Sequence, residues 1–386
     1  MKKILVLNTK YRNLGGEDTN ILEEIKLLSS RYDVEYLEFC NSSKVNIFDL
    51  ISFVTNSNLK SNRLLKKKIR EFSPDVVYVH NLWFKGSLGT LKILKSLQNI
   101  TVLHKIHSFR YFCTSFLTLE NHLNGKKVCY KCGATKQKNK IFNKYFTDSF
   151  LKSIFMINFG KKYKKIIKNS NFKYLVLNSF HKKELIKFGV SSKNISIFYN
   201  PIEFSSNPTY KINSTTVVYA GRLTKNKGLK QLLKTWKNLN PQYLKLLIIG
   251  DGELKINLQK KYESKSIEFL GELNNLDTKE YIKNSKAVIT CTEIFEGQPR
   301  LLSEAASYGV PSIFPIFGGM SEYFPNKYVL SFIQFDYEDL KKKIKLIDDD
   351  DLMKELSNKV FKYSNKLLNK NQLLGQFELI LNDSNE

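Results

Sequence analysis

Short apolar runs alternate along this chain with longer segments whose apolar residues recur at helical spacing. Lys3-Ile-Leu-Val-Leu7 is a run of strand type, and Glu17 to Ser29 follows with helical periodicity. The succession continues with Asp33 to Phe39 as a strand, Leu59 to Phe72 as a basic helix, Pro74 to His80 as a strand, Leu88 to Leu97 as a helix and Ile100 to His107 as a strand. Tyr174 to Asn178, a helix from Ser179 and Ile195 to Tyr199 extend it, and further strands are read at Val217, Leu246, Ile267 and Ala287. Strands alternating with helices predict an α/β fold with parallel, doubly wound sheets. The chain of 386 residues is too long for one ordinary core and suits two such domains. We place them at residues 1–200 and 201–355, with helices over 356–386 crossing back to the first, and a polar linker through Ser214 at the boundary.

Two segments depart from the alternation. Residues 108–147 form an insertion, and a loop of that length is functional or disordered. It carries Cys113 and the pair Cys129-Tyr-Lys-Cys132, whose two-residue gap is metal-ligand spacing, with His122 as the nearby fourth candidate; free thiols in a loop are the alternative. Phe150 to Lys168 mixes large apolar side chains with a dense lysine set. That pattern fits a helix lying in an anionic membrane surface, and equally a core helix with a solvated basic end.

Composition narrows the class. Lys and Arg number 62 against 36 Asp and Glu, a formal charge of +26 that attracts nucleic acid, anionic lipid or phosphorylated substrates. A nucleic-acid surface would interleave its cations with exposed stacking aromatics, whereas the Tyr and Phe here fall inside periodic runs. Apolar neighbours beside the basic runs favour an anionic membrane instead. No apolar run reaches the ~18 residues that span a bilayer, and Met1-Lys-Lys leads straight into a strand. The reading is a cytoplasmic protein, peripheral on the inner face of the cell membrane. Five cysteines, an odd number, argue against a disulfide framework there.

The candidate chemistry concentrates between Thr290 and Pro311. A buried strand ends near Cys291, Pro299 suits a first helical turn where its missing N–H costs nothing, and Gly309 can end the helix. Seven residues separate Glu296, on the loop, from Glu304, inside the helix. In an open α/β sheet ligands bind beyond the strands' carboxyl ends, and a helix N-terminus there favours an anion. Upstream, Val217-Val-Tyr-Ala-Gly-Arg-Leu-Thr-Lys-Asn-Lys-Gly228 delivers Arg222 and Lys227 from one strand end, two cations able to clamp a diphosphate. His80, Asn81 and His107 fall at strand ends of the first domain, while strand parity turns His104 to the opposite face. Gly15 and Gly16 form a tight turn before the first helix, but the loop is not a dinucleotide fingerprint.

Glu-x7-Glu followed by Ala-Ala-x-x-Gly-x-Pro resembles the donor-site signature of family 4 retaining glycosyltransferases. Gly-Arg-Leu-x4-Lys-Gly and the His107-Ser-Phe-Arg110 strand end resemble the family too. The resemblance implies the GT-B fold, two Rossmann-like doubly wound domains facing a central cleft. It implies transfer of a sugar from a nucleotide-sugar donor to a lipid-linked glycan acceptor in surface polysaccharide assembly, capsule or O-antigen. It implies that Glu296 with Gly297, Gln298 and Pro299 holds the donor sugar, Glu304 the ribose, Arg222 and Lys227 the pyrophosphate, and that His107 lies over the reacting sugar. Gly15 and Gly16 match the turn that lets backbone amides approach donor phosphate or acceptor. Gly318 and Gly319 are secondary candidates. Outside the acidic run Asp348 to Asp351, read as a solvated turn, no Asp-x-Asp metal motif is present, so no cofactor and no essential divalent metal are expected; Tyr145-Phe146 stands where relatives of the subgroup have a further cysteine. The rival readings are a nucleotide-sugar 2-epimerase of the same fold and a catalytically silent sugar- or nucleic-acid-binding protein.

Overall fold

The computed structural model describes residues 1–10, 16–41, 51–52, 54–108 and 150–383, with backbone alone over 150–157. Gly15, Cys113, His122, Cys129 and Cys132 lie outside the described residues. In chain order the elements that matter here are β1 (Lys3–Lys10), α1 (Gly16–Leu28), β2 (Asp33–Cys40), α2 (Leu59–Phe72), β3 (Val76–Val79), α3 (Ser87–Lys95), β4 (Thr101–Ile106), α4 (Phe150–Lys168), β5 (Lys173–Val176), α5 (Ser179–Lys187) and β6 (Ile195–Ile197). Then come β7 (Thr216–Ala220), α6 (Leu229–Leu239), β8 (Lys245–Ile249), α7 (Lys255–Tyr262), β9 (Ile267–Gly271), α8 (Asn275–Lys283), β10 (Ala287–Ile289), α9 (Arg300–Tyr308), β11 (Ser312–Ile316), β12 (Ser331–Ile333), α10 (Tyr337–Leu346), α11 (Asp350–Leu368) and α12 (Lys370–Asn382).

These elements divide into two units, Met1–Pro201 with Leu373–Glu386, and Ile202–Gln372. Thus α11 stays in the second unit, and the return to the first is made by the segment from Leu373 on, not from residue 356.

The first unit is a parallel sheet of order β2-β1-β3-β4-β5-β6. Its strands are near-continuous apolar runs because both faces are covered; Ile4 to Leu7 are fully buried. Leu5, Leu7, Val77, Val79 and Tyr174 point to the face layered by α2, α3 and α4. Ile4, Val6, Tyr78 and Leu103 point to the other face, with Ile21 and Leu27 of α1 and Leu373 and Phe377 of α12. Phe377 packs against Tyr32, Tyr78 and Phe198 at 5.6–5.9 Å between ring centroids, which ties the chain's last helix into this core.

Of the two readings open for Phe150 to Lys168, the described half supports the core helix. Phe159, Tyr163, Ile166 and Ile167 are buried in the first core, while Lys161, Lys164, Lys165 and Lys168 are exposed. The apolar side of that half is used by the sheet, which leaves its lysines to face a surface.

The second unit is a parallel sheet of order β12-β11-β10-β7-β8-β9. Caps fix its helix starts: Asn274 accepts from the Asp277 amide, Asp336 from those of Glu338 and Asp339, and Asp349 from that of Leu352. The acidic run Asp348 to Asp351 thus supplies a cap through Asp349, and Asp350 also pairs with Lys286 at 2.8 Å. In both sheets the strand order reverses once, between β1 and β3 and between β7 and β10. Those switch points are where such sheets open a crevice beyond their strands.

Candidate functional site

At the switch point of the second sheet, two loops leave neighbouring strands and meet. After β7 the chain passes Gly221 and Arg222, makes a turn at Lys225–Lys227 and enters α6 through Gly228. Gly228 has φ +66°, and a Cβ there would lie 1.8 Å from the Cys291 carbonyl oxygen; only glycine lets this loop close on the end of β10. The Glu293 amide donates to the Asn226 carbonyl at 2.9 Å and clips the loops a second time. Lys227 Nζ is thereby set on Glu296 Oε1, and the Thr292 hydroxyl donates to the same oxygen at 3.1 Å. Both ion-pair partners are about one-fifth exposed, so the pair is held by the fold yet open to a ligand.

The helix after this loop begins at Arg300 with Pro299 as an extended N-cap that has no side chain able to accept from the first turn. The amides of that turn and the helix dipole are arranged for an anion. Gln298 is buried and donates to Ser303 Oγ at 3.3 Å, which orients the loop from within. One turn on, Glu304 is buried and paired through Oε1 with Arg300 Nε at 2.7 Å. Phe295 stacks on Phe317 at 3.8 Å, and a Cβ on Gly318 would lie 2.9 Å from Phe295, so the glycine pair of that loop packs beside the Glu296 segment. Arg222 is exposed. Cys291 is buried, and burial raises its thiol pKa, which leaves it an inert core group.

The first sheet's switch point carries a different chemistry. Asn81 ties the ends of β1 and β3 together, its side chain donating to the Thr9 carbonyl at 2.8 Å while the Thr9 amide donates back at 2.6 Å. Beneath them lies a charged group enclosed by the core. Glu24 of α1 and Lys105 of β4 form an ion pair with side chains 1% and 0% exposed. Tyr78 donates to Glu24 Oε2 at 2.7 Å, and Lys105 also donates to the Tyr199 carbonyl at 3.4 Å. His80 Nε2 stands 3.9 Å from Glu24 Oε2, and His80 Nδ1 stands 3.0 Å from His107 Nε2. The chain of groups therefore ends at His107, which is half-buried. Burial holds both imidazoles well below the ordinary histidine pKa, helped by the Lys105 cation. His104 points to the opposite face, 3.4 Å from the Tyr163 hydroxyl, as strand parity requires.

Residues 203–366 match the family model of glycosyl transferases group 1. The chain is 27% identical over 320 residues, 81% of its length and 80% of the relative's, to an amylovoran biosynthesis glycosyltransferase, AmsD, of Erwinia amylovora. It is 29% identical over 201 residues, 52% of its length and 56% of the relative's, to the O-antigen biosynthesis glycosyltransferase WbnH of Escherichia coli. The protein is a glycosyltransferase. Its fold is GT-B: the lipopolysaccharide outer core galactosyltransferase WaaB superposes with a TM-score of 0.65 over 98% of this chain and 99% of that one at 18% identity. The sucrose-phosphate synthase of Thermosynechococcus elongatus does so with 0.73 over 99% and 98% at 14% identity.

In this glycosyltransferase, then, Lys227, Glu296, Gly297, Gln298, Pro299 and Glu304 come together around one loop and one helix start, with Arg222 on the adjoining strand end. His107 and Gly16 belong to the first unit, where Gly16 is the exposed first residue of α1. Sequence reasoning missed Glu24, Tyr78, Lys105 and Arg300. A signal for each partner was present: Glu24 interrupts the apolar face of Ile21, Leu27 and Leu28, and Lys105 sits inside a buried strand, between His104 and Ile106. Among the described residues no cluster of three or more His, Cys, Asp and Glu side chains is arranged to hold a metal ion.

Proposed function

We propose that this glycosyltransferase moves a sugar, with retention of anomeric configuration, from a nucleoside-diphosphate sugar to a lipid-linked glycan during assembly of a cell-surface polysaccharide. The observation that carries the reading is the meeting of Lys227 and Glu296 beside the uncapped start of α9. Breaking the bond between anomeric carbon and phosphate builds charge on the departing diphosphate. Lys227, Arg222 and the α9 amides are suited to stabilise that charge without a divalent cation. Glu296, with Gly297 to Pro299, holds the sugar hydroxyls; Glu304 takes the ribose; His107 serves the transferred sugar. The amylovoran and O-antigen roles in the relatives' names support the acceptor class.

The workplace we propose is an anionic membrane surface on the cytoplasmic side. Support comes from α2, α3 and α4, which layer one face of the first sheet. They turn Arg63, Lys66, Lys67, Lys92, Lys164 and Lys165 outward, against a single exposed acid, Glu71, among the described residues of these three helices. No helix among the described residues is long and apolar enough to cross a membrane.

The test is a panel of nucleotide-sugars offered with lipid-linked acceptors extracted from a polysaccharide-producing cell, with and without a chelator. Transfer from one donor, an anomeric configuration unchanged in the product and turnover that survives the chelator are expected. Inversion, or inhibition by chelator reversed by magnesium or manganese, contradicts the mechanism.

A further inference from the structure

Resting on the reading that His107 serves the transferred sugar, we infer that Glu24 and His80 are positioning residues that set which ring nitrogen of His107 is bare. A neutral imidazole carries its proton on one nitrogen or the other, and the choice decides whether it donates or accepts. The choice at His80 is made by Glu24. Its carboxylate is paired with the Lys105 ammonium and accepts from the Tyr78 hydroxyl, and His80 Nε2 faces it at 3.9 Å inside the core. Both side chains are shut off from solvent, so a lone pair on Nε2 would point at a weakly screened carboxylate; an N–H there is attracted instead. The proton of His80 therefore sits on Nε2, and Nδ1 is bare.

That bare nitrogen lies 3.0 Å from His107 Nε2. Two lone pairs cannot face each other at this distance, so His107 Nε2 carries the proton and donates it in the hydrogen bond. His107 Nδ1 is then left as an acceptor on the half-buried side chain. Its partner class is a hydroxyl, such as a sugar O–H, which donates to it. The opposite tautomer would present an N–H that such a hydroxyl's hydrogen opposes. The stack of His80 on His107, 5.3 Å between centroids and 24° between planes, holds the ring in the orientation this exchange needs. A carboxylate buried two residues away from the sugar thus acts through one imidazole on another.

Histidine-selective 15N NMR of the full chain near pH 7.5 reads this directly, since protonated and bare ring nitrogens resonate far apart and only five histidines are present. The expected result is His107 with Nε2 protonated and Nδ1 bare in the wild type. A wild-type His107 protonated on Nδ1 overturns the inference without any variant being made. Replacing both members of the pair, Glu24→Gln with Lys105→Met, avoids stranding a buried charge. It should mix the tautomers and lower kcat by about tenfold or more, with the donor KM changed far less, as lost support for a positioned histidine does. His80→Gln is the second variant, should the double one not fold, and should do the same. Unchanged His107 tautomer and kcat in a folded variant also overturns it. Full transfer activity in His107→Ala instead refutes the assigned role of His107, and leaves the NMR result on the tautomer to stand by itself.

Discussion

Lys227 and Glu296, 69 residues apart in the chain, are ion-paired across the switch point of the second sheet. The pairing has a consequence for donor binding: a diphosphate that takes Lys227 must displace a carboxylate already there. Lys227→Ala and Glu296→Ala should each lower turnover by on the order of 10²-fold, the cost of losing one charge-stabilising contact. They part company on affinity. Removing Glu296 frees Lys227, so a free nucleoside diphosphate should bind Glu296→Ala as tightly as wild type or more tightly, and Lys227→Ala more weakly. Calorimetric titration that shows both variants losing affinity in step would refute the competition.

Glu304 should behave differently from Glu296. A ribose contact is made equally in the bound state and the transition state, so Glu304→Ala should weaken nucleotide binding with a smaller effect on turnover at saturation. Arg300, paired with Glu304 at 2.7 Å, will keep part of the site's positive charge in that variant. Equal loss of free-nucleotide affinity in Glu296→Ala and Glu304→Ala would remove the division of roles.

How far the sequence reached is best seen residue by residue. Buried parallel strands such as Ile4 to Leu7 and Leu246 to Ile249 read as apolar runs because both faces are covered. The second-unit site was legible because its parts are local: Glu296, Pro299 and Glu304 lie within one loop and helix, and Gly228 must be glycine for that loop to close. Glu24 and Lys105 each leave a local mark on an apolar pattern, but their pairing was not legible, since the partners are 81 residues apart and Glu24 is one of several acids on α1, where acids ordinarily mark a solvated face. Helix α4 was undecidable for another reason: apolar spacing is the same whether lipid or protein receives it. Only the packing of Phe159, Tyr163 and Ile167 into the sheet separates the two.

Acid should destabilise the first unit before its carboxylates titrate. His104 and His181 are 3% and 2% exposed, and burial pushes both pKa values down to about 3. Above pH ~6.5 they are neutral whether folded or unfolded, and contribute no pH dependence. Below it the unfolded chain binds protons the folded protein refuses, so stability falls with falling pH, by up to about 1.4 kcal/mol per pH unit for each histidine. Denaturant unfolding between pH 7 and 5 should show this slope, and His181→Gln should flatten it by one proton's worth. An unchanged slope would mean that His181 titrates normally in the folded protein.

Membrane association should depend on salt and on anionic lipid, because the described half of α4 turns its lysines outward and its apolar residues into the sheet. Each lysine near an anionic surface is worth about 1 kcal/mol, so replacing Lys161, Lys164, Lys165 and Lys168 with Gln should weaken flotation with anionic liposomes strongly at low salt. Flotation that ignores both salt and these substitutions would leave the cationic face without the role assigned to it.

The most direct test of the account is donor binding itself, followed by thermal shift across a panel of nucleotide-sugars in wild type and in Arg222→Ala/Lys227→Ala. A ligand that binds only the folded protein raises its stability by mass action. The account predicts that one class of nucleotide-sugar stabilises the wild type in metal-free buffer and that the double variant, equally folded without ligand, loses most of that stabilisation. The same stabilisation in the double variant would contradict a donor site built around Lys227 and Glu296.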